Sequence, residues 1–407
     1  MTNEARVKPQ LRFEEFEDSW SKLNLNEVSE RVKRKNENLE SLMPLTISGQ
    51  YGLVDQITYF SKSVSAKNLK NYTLIKNGEF AYNKSYSNGY PLGAIKRLDK
   101  YEKGVLSTLY ICFKVNGNNN SNFIKYFFET TKWHKEVGSI AVEGARNHGL
   151  LNISVNDFFN IMINLPSFEE QQKIGDFFSK LDRQIELEEQ KLEKLEEQKK
   201  GYMQQIFSQK LRFKDEDGNA FEEWENTNFD YFMSEPDNLE KGIDLRKDQL
   251  LTVKLQGNGV SKANINRALK MGSTVYYKRF AGQFIYGKQN FFNGAFGIVP
   301  KSLNNFYSSG DVPALYIDYS KIDREYFINY ISREDYYKKK EAFSTGTGSK
   351  RIHEKTLLGF DIMLPSIDEQ EKIGDFFNKL NNFIEKQSDK VELLKKRKQG
   401  FLQKMFV

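Results

Sequence analysis

Two loops of this chain combine cations with amide and aromatic side chains, a mixture suited to contacting nucleic acid. Lys and Arg neutralise phosphates, whereas Asn, Gln and Arg form paired hydrogen bonds with base edges. The candidates in the first half of the chain are Lys84, Ser85, Tyr86, Asn88, Tyr90 and Arg97. Those in the second half are Lys278, Arg279, Lys288, Gln289 and Asn290.

A second pair of loops is rich in glycine and small polar residues. Residues 144–148 include Arg146 and Asn147, and residues 346–351 include Lys350 and Arg351. Backbone amides in such turns can also meet phosphate. Any one of these residues has the alternative of being an ordinary solvated surface group, so the prediction is made for the loops as sets.

The chain lacks the motifs of the enzymes that most often act on DNA. It has no Pro-Pro, which an adenine or cytosine methyltransferase would carry after an Asn or Asp. Gly282 to Lys288 has the spacing of a phosphate-binding loop, but Gln289 stands where Ser or Thr is required. We therefore expect no catalytic residue in this chain.

Metal and disulfide chemistry are equally unsupported. The single cysteine, Cys112, excludes a disulfide framework within the chain and a multi-cysteine zinc site, and its apolar neighbours predict a buried thiol. His134, His148 and His353 have no ligand-like partners nearby in the sequence. We expect no metal and no cofactor in this chain.

The first candidate loop in each half of the chain follows a similar strand-like segment. Residues 78–84, GEFAYNK, resemble residues 282–288, GQFIYGK, and an Asn-Gly pair follows each segment. A shared strand followed by different loop residues is what two readers of different sequences would need. Residues 1–164 and 208–363 are therefore predicted to be two domains of similar mixed α/β fold.

Each of these domains is followed by a copy of a repeated segment. Residues 165–207 and 364–406 align without a gap at an offset of 199, and about half of the positions are identical. Ser167 with Glu170, and Ser366 with Glu369, have the spacing of a capping box, which predicts a helix start. We assign 165–207 and 364–407 as two long helices.

Apolar residues recur in both helices with the 4-3 spacing of a coiled coil. The predicted seam consists of Leu181, Ile185, Leu192, Leu195, Leu380, Ile384, Val391 and Leu394. The first copy has ten acidic and seven basic side chains and the second has seven and nine, which favours pairing between the two. Because the second domain starts where the first helix ends, we expect the helices to be antiparallel, with the two domains at opposite ends of a rod about 60 Å long.

Gly201 and Gly400 interrupt the helical pattern at equivalent positions. Each costs about 1 kcal/mol relative to alanine inside a helix. A close helix approach or a partner docking there is one explanation, and a bend near the helix end is the other.

Composition places the chain among globular proteins that are neither secreted nor inserted in membranes. It has 407 residues, a net charge of +6 and 29% charged residues. No apolar run approaches the roughly 18 residues of a membrane span. The first residues do not form a signal peptide. We expect a cytoplasmic location and no membrane partner.

The repeated segments resemble the specificity subunit of type I restriction–modification systems. The resemblance rests on Glu-Gln-x-Lys-Ile-Gly-Asp-Phe-Phe at 170–178 and 369–377, and on Lys-Lys-Gly-Tyr-Met-Gln-Gln-Ile-Phe at 199–207. It covers the layout of the whole chain. Residues 82–98 also look like part of a target recognition domain of that family.

The resemblance implies two mixed α/β target recognition domains separated by a long antiparallel two-helix coiled coil, an α+β fold with a pseudo-twofold internal repeat. Each domain would bind one half of a split site on double-stranded DNA, and the helices would set the gap. Two methyltransferase subunits using S-adenosylmethionine would dock on the helices. Motor-endonuclease subunits using ATP and Mg would join them. The alternatives are a scaffold with two interaction domains and, third, an enzyme with an unrecognised site.

Overall fold

The computed structural model describes residues 7–60, 68–86, 89–141, 151–264, 274–346 and 349–407. The chain forms two compact units. Unit 1 comprises Met1–Glu189 and Asp389–Val407, and unit 2 comprises Gln190–Ser388. Each long helix therefore contributes one part to each unit. The domain boundaries expected at residues 164, 207 and 363 stay predictions.

Unit 1 contains a four-stranded antiparallel sheet in the order β2-β9-β6-β7 and three strand pairs, β1–β10, β3–β4 and β5–β8. The strands are β1 Ser21–Asn24, β2 Ser29–Arg31, β3 Leu45–Ser48, β4 Gly52–Asp55, β5 Thr73–Lys76, β6 Phe80–Asn83, β7 Ala94–Arg97, β8 Lys103–Leu106, β9 Ile111–Val115 and β10 Met162–Leu165. The helices are α1 Leu25–Val28, α2 Gln56–Phe60, α3 Ser121–Phe127, α4 His134–Ile140, α5 Val155–Phe159 and the first part of α6 Phe168–Phe207.

Unit 2 repeats this plan with the sheet order β12-β19-β16-β17 and the pairs β11–β20, β13–β14 and β15–β18. The strands are β11 Glu225–Asn228, β12 Met233–Ser234, β13 Leu251–Val253, β14 Val260–Lys262, β15 Tyr276–Arg279, β16 Phe284–Tyr286, β17 Phe296–Ile298, β18 Phe306–Ser309, β19 Ala314–Ile317 and β20 Asp361–Leu364. The helices are α7 Arg324–Ile331, α8 Glu334–Lys339, α9 Glu354–Leu358 and the first part of α10 Ile367–Met405.

The strands predicted to precede the two loops occupy the same place in each unit. β6 and β16 are interior strands of the four-stranded sheets. Their apolar residues are buried, as interior strands require: Phe80 and Tyr82 in one unit, Phe284 and Tyr286 in the other. Each strand is entered through a glycine with positive φ, Gly78 at 84° and Gly282 at 88°, a conformation that favours glycine.

The long helices pair in antiparallel fashion within each unit, as their sequences predict. In unit 1, Phe177 packs edge-on against Phe401 at a ring distance of 5.2 Å. In unit 2, the equivalent rings of Phe376 and Tyr202 lie 5.1 Å apart, also edge-on. In unit 1 the start of α6 thus packs on the end of α10, and in unit 2 the start of α10 packs on the end of α6, which confirms the internal repeat.

Each residue of the predicted coiled-coil seam is buried or half-buried. Ile185, Val391 and Leu394 are buried, at 6–8% exposure. The remaining members are half-buried: Leu181, Leu192, Leu195, Leu380 and Ile384. A polar position interrupts the seam where Glu188 is buried and accepts a hydrogen bond from Lys390 Nζ at 2.9 Å. A buried carboxylate needs such a partner.

Only half of the predicted capping box forms at each helix start. The Ser167 and Ser366 hydroxyls accept from the backbone N–H groups of Glu170 and Glu369, at 3.3 and 3.4 Å. The glutamate side chains do not reach back, which corrects the prediction. Glu170 instead takes two hydrogen bonds from Arg12, at 2.8 and 2.7 Å.

Glu369 makes the corresponding bonds in unit 2, to Arg212 at 3.2 and 2.7 Å and to Trp224 Nε1 at 3.0 Å. A buried carboxylate gains more from a guanidinium than from one backbone amide. The physical reason for the correction is therefore a stronger partner that lies 157 residues away in the sequence.

The Gln and Gly of the repeated motif attach each sheet-bearing region to its helix. Gln171 Oε1 accepts from Asn120 N at 2.9 Å, and its amide donates to Pro166 O at 3.0 Å. A Cβ on Gly175 would lie 2.8 Å from Asn120 Oδ1, the group that caps α3. Gln370 bonds Asp323 N at 2.9 Å in the same way. The motif therefore fixes the start of α3 and of α7 on the long helices.

Gly201 and Gly400 have no such neighbour. A Cβ on either would meet nothing within 4 Å. This excludes a close helix approach as their explanation. Both lie inside continuous helices and face open space.

Candidate DNA interface

At the end of β6, the first predicted loop of unit 1 meets the segment that follows residues 142–150. Leu151 N donates to Lys84 O at 3.0 Å, and Lys84 Nζ donates to Ile153 O at 3.1 Å. The chain that leads out of residues 142–150 therefore runs beside the loop that follows β6. Lys84 holds the two segments together and is half-buried.

Unit 2 brings its two loops together in the same manner. Ile352 N donates to Lys288 O at 2.9 Å, and Lys288 N donates to Asp311 O at 2.9 Å. The Lys288 ammonium is 15% exposed and lies 2.8 Å from a carboxylate oxygen of Glu354. Lys288, like Lys84, is thus a positioning residue at the base of the loop rather than a free cation.

The residues beyond Lys288 form a tight turn that leaves two amide side chains in solvent. Asn290 N donates to Gly287 O at 3.0 Å, and Gly294 closes the turn with φ at 76°. A Cβ on Gly294 would lie 2.8 Å from Gly257 N, so only glycine fits. Gln289 and Asn290 are exposed, and the surface bond that Asn290 Oδ1 accepts from Asn293 Nδ2 at 3.1 Å can be replaced by a base edge.

The loop of unit 1 exposes different groups. Tyr86 is 63% exposed, and Ser85 is half-buried with its N–H bonded to Asn83 Oδ1 at 3.0 Å. The Tyr90 ring packs on Gly49 so closely that a Cβ there would overlap it. Asn88 lies outside the described residues. The role of Ser85, Tyr86, Asn88 and Tyr90 in binding DNA stays a prediction.

Arg97 and Arg279 are withdrawn as DNA contacts. Arg97 pairs across from Phe80, at the opposite end of β6 from Lys84, and bonds Asp99 at 2.6 Å and Ser121 at 3.0 Å.

Arg279 is 2% exposed and donates to Ser308 Oγ at 2.7 Å and Val312 O at 3.0 Å. Burial lowers the pKa of its guanidinium to about 10. Arg279 holds β15 to the turn after β18, so it is a structural residue. Its neighbour Lys278 is half-buried and pairs with Glu240 at 3.1 Å.

The second loop of unit 2 keeps its cations at the surface. Lys350 is paired with Glu341 at 2.7 Å, and Arg351 lies 3.4 Å from Asp311. Exposed pairs of this kind are worth under about 1 kcal/mol, so DNA phosphate can replace the carboxylate. The equivalent candidates of unit 1, Arg146 and Asn147, lie outside the described residues, and so does His148.

The described residues contain no cluster of metal ligands, and their cysteine and one histidine have shifted pKa values. No group of three or more His, Cys, Asp or Glu side chains among them is arranged to hold a metal ion. Cys112 is buried, and burial raises the pKa of its thiol to about 12, which makes it a poor nucleophile. Burial lowers the pKa of His134. Across the same part of the chain, no helix combines the length and apolar character needed to cross a membrane.

Two sets of residues escaped the sequence analysis. The anchors Gln171 and Gln370 were visible only as part of a repeated motif, because their partners lie about 50 residues away. The exposed Arg31 and Lys33 near α5 were also missed. Their alternation with buried Val32 at the end of the edge strand β2 was the available signal.

Comparisons with known proteins agree on one family. The family model for the type I restriction modification DNA specificity domain matches residues 18–197 and again 219–395. The type I restriction enzyme MjaVIII specificity subunit of Methanocaldococcus jannaschii is 25% identical over 329 residues, which are 73% of this chain and 72% of that protein.

Two solved structures share the fold over nearly the whole chain. The S subunit of a type I restriction–modification system from M. genitalium superposes with a TM-score of 0.56 and 14% identity, covering 98% of this chain and 99% of that one. A chain from work on assembly and conformational transition of the type I R-M system gives 0.50 and 14%, covering 95% and 97%.

Proposed function

The chain belongs to the family of type I restriction–modification DNA specificity subunits, and on that premise we propose that each unit reads one half of a split DNA site. One observation carries this proposal: the two units share a sheet topology, but the loops that follow the same strand expose different side chains. In both units a lysine just after the same interior strand accepts a backbone hydrogen bond from the segment that follows the second predicted loop, Lys84 O from Leu151 N and Lys288 O from Ile352 N. The loops expose Tyr86 in unit 1 but Gln289 and Asn290 in unit 2.

The loop residues divide into two roles in this proposal. Lys84 and Lys288 fix the base of each loop through their backbone and ammonium groups. The exposed side chains beyond them contact base edges, where Gln and Asn pair with adenine and a tyrosine packs on a base or its methyl group. Lys350 and Arg351 contact phosphates, which sets the position of unit 2 on the duplex without reading sequence.

The long helices act as a spacer and as a platform in this proposal. Their 40 and 39 residues, joined along a common seam, set the number of unspecified base pairs between the half-sites. Two methyltransferase subunits dock on the helices, and Gly201 and Gly400 lie on the surface available to them. These partners supply S-adenosylmethionine chemistry on adenine, and motor-endonuclease subunits supply ATP, Mg and cleavage. This chain contributes recognition and no catalytic residue.

The test is selection of bound duplexes from a random library by the full chain assembled with its methyltransferase. We expect enrichment of two short specified blocks separated by a gap of constant length. Affinity should fall about a thousandfold between 50 and 200 mM salt if six or more phosphates are contacted. A scaffold with two interaction domains would enrich no sequence at any salt concentration.

A further inference from the structure

Unit 1 has a polar groove between β2 and α5 that the recognition loops do not account for. The groove holds about 400 Å³ and is lined by Asn26, Ser29, Arg31, Lys33, Val155, Asn156, Phe159 and Asn160. We name it the β2–α5 groove. We propose, resting on the function proposed above, that it binds the phosphate backbone of the DNA outside the bases read by the loop.

The cations of the groove are free to take an anion. Arg31 and Lys33 are exposed, and no described carboxylate lies within ion-pair distance of either. Their neighbours are already engaged: Glu30 with Lys114 at 3.2 Å, and Arg34 with Glu79 at 2.8 Å. Arg31 ends β2 and Lys33 follows two residues later, at most about 7 Å along the chain, so the two cations can contact different phosphates.

The rest of the lining also suits phosphate. Asn26, Asn156 and Asn160 bring amide N–H donors, and Ser29 brings a hydroxyl, although its Oγ donates to Leu25 O at 2.7 Å. No carboxylate lines the groove. Cations with amide donors and no acid are the usual contacts of a DNA backbone.

The groove adjoins the loop that follows β6. Its α5 wall begins at Val155, two residues after Ile153, whose carbonyl accepts from Lys84 Nζ at 3.1 Å. β2 runs parallel to β6, because both pair antiparallel with β9. Lys33 therefore lies towards the same end of the sheet as Lys84, and DNA held by the loop would pass the groove.

Unit 2 carries the opposite charge at the equivalent place. The sheet registers align Ser29 with Met233 and therefore Arg31 with Glu235. The first residues of α9 are Glu354 and Lys355, where α5 has Val155 and Asn156.

The lining of the groove in unit 1 has two cations and no acid. The charged residues at the equivalent positions of unit 2 are Asp230, Glu235, Glu354 and Lys355, three acids and one cation, of which Glu354 is paired with Lys288. Two domains of one fold that differ in charge here should grip the backbone unequally. Unit 1 would add phosphate contacts at this groove that unit 2 lacks and in part repels.

The experiment measures how DNA affinity depends on NaCl between 50 and 200 mM. The full chain with its methyltransferase is titrated into a fluorescent 40-base-pair duplex that lacks the recognition site, and into one that contains it. The variant is Arg31→Gln with Lys33→Gln. The matched control is Lys76→Gln with Lys100→Gln, which removes two exposed cations elsewhere in unit 1. The converse variant is Glu235→Gln with Asp230→Asn in unit 2.

Losing two phosphate contacts should reduce the slope of log affinity against log salt by about 1.8, on both duplexes. The control should leave the slope unchanged, and the converse variant should tighten binding. If the Arg31 and Lys33 variant has the same slope as the parent chain, the inference is overturned. The proposed function still holds in that case, provided that the parent chain binds the duplex. A parent that binds no duplex overturns both.

An acidic protein surface is the other possible occupant. If the Arg31 and Lys33 variant keeps the parental slope but assembles less tightly with the methyltransferase, the groove is a protein contact and the inference fails. Because both side chains are exposed, an unchanged unfolding midpoint verifies that the variant is folded.

Discussion

The glycine in the repeated motif and the glycine near the end of the second long helix should respond to alanine with opposite signs. Gly175 and Gly400 both lie inside α-helices and both belong to unit 1. Alanine in a helix interior is favoured over glycine by about 1 kcal/mol, so propensity alone predicts that both substitutions stabilise. The surroundings decide otherwise at Gly175.

A methyl group at Gly175 has no room. Its carbon would lie 2.8 Å from Asn120 Oδ1, 2.9 Å from Asn122 Cβ and 3.1 Å from Phe123 N. Ordinary carbon contacts need about 3.5 Å, so α3 must move by roughly half an ångström or more. Asn120 Oδ1 caps α3 by accepting from Phe123 N at 3.0 Å, and that bond is strained or lost.

The expected magnitude follows from three contributions. Loss of the cap costs about 1 kcal/mol. Overpacking costs about 1–3 kcal/mol. The gain in helix propensity offsets about 1 kcal/mol. Gly175→Ala should therefore destabilise unit 1 by about 2 kcal/mol, whereas Gly400→Ala, with nothing within 4 Å, should stabilise it by up to about 1 kcal/mol.

Thermal unfolding of the purified chain measures both effects. For a unit of this size, about 1 kcal/mol corresponds to 2–4 °C, so the midpoint should fall by about 4–8 °C for Gly175→Ala and rise by about 2–4 °C for Gly400→Ala. Amide exchange in α3 should accelerate only in the first variant. Two midpoints that shift upward together would refute the packing argument.

Three further predictions concern the buried charges and the spacer. Arg212→Met leaves Glu369 buried without its cation and should cost about 3 kcal/mol in a denaturant titration; a loss under about 1 kcal/mol would contradict the role given to this pair. Burial lowers the pKa of Lys398, but the charges of Glu129 and Asp182 outweigh it and raise that pKa above 10.5. The interaction of charged Lys398 with these carboxylates therefore stabilises the fold below pH 10.5 and is lost as the pH rises through the higher pKa of the folded state. Lys398→Met should remove this loss of stability at alkaline pH; a variant with the parental pH profile would argue against it. Inserting four residues into α6 lengthens it by about 6 Å, near two base pairs of DNA, so a binding selection should return the same half-sites with a longer gap, and an unaltered gap would count against the spacer.

Local patterns predicted the elements that repeat. The offset of 199 residues, the 4-3 spacing and the connectivity predicted two long helices that pair in opposite directions, and both units confirm that pairing. The common strand before each loop was visible because Phe80 and Phe284 share their sequence neighbours. These signals are short-range or periodic, which is why one sequence suffices to detect them. The placement of the two domains at opposite ends of the helices stays a prediction.

Long-range partners were beyond the sequence. Arg279 looked like a phosphate contact, but Ser308 and Val312, 29 and 33 residues further on, enclose its guanidinium. Glu170 looked like a capping residue, but Arg12 competes for its carboxylate across 158 residues. In each case the spacing matched a local motif, and the stronger interaction came from a distant segment brought close by folding.

In the proposed function, unit 2 alone reads one half-site, through Gln289 and Asn290. The test is methylome sequencing of two strains that each carry the methyltransferase. One strain carries the parent chain, and the other carries the chain with Gln289→Ala and Asn290→Ala. We expect one specified block to relax while the other block and the gap remain the same. Relaxation of both blocks together, or a methylated motif identical to that of the parent, would contradict it.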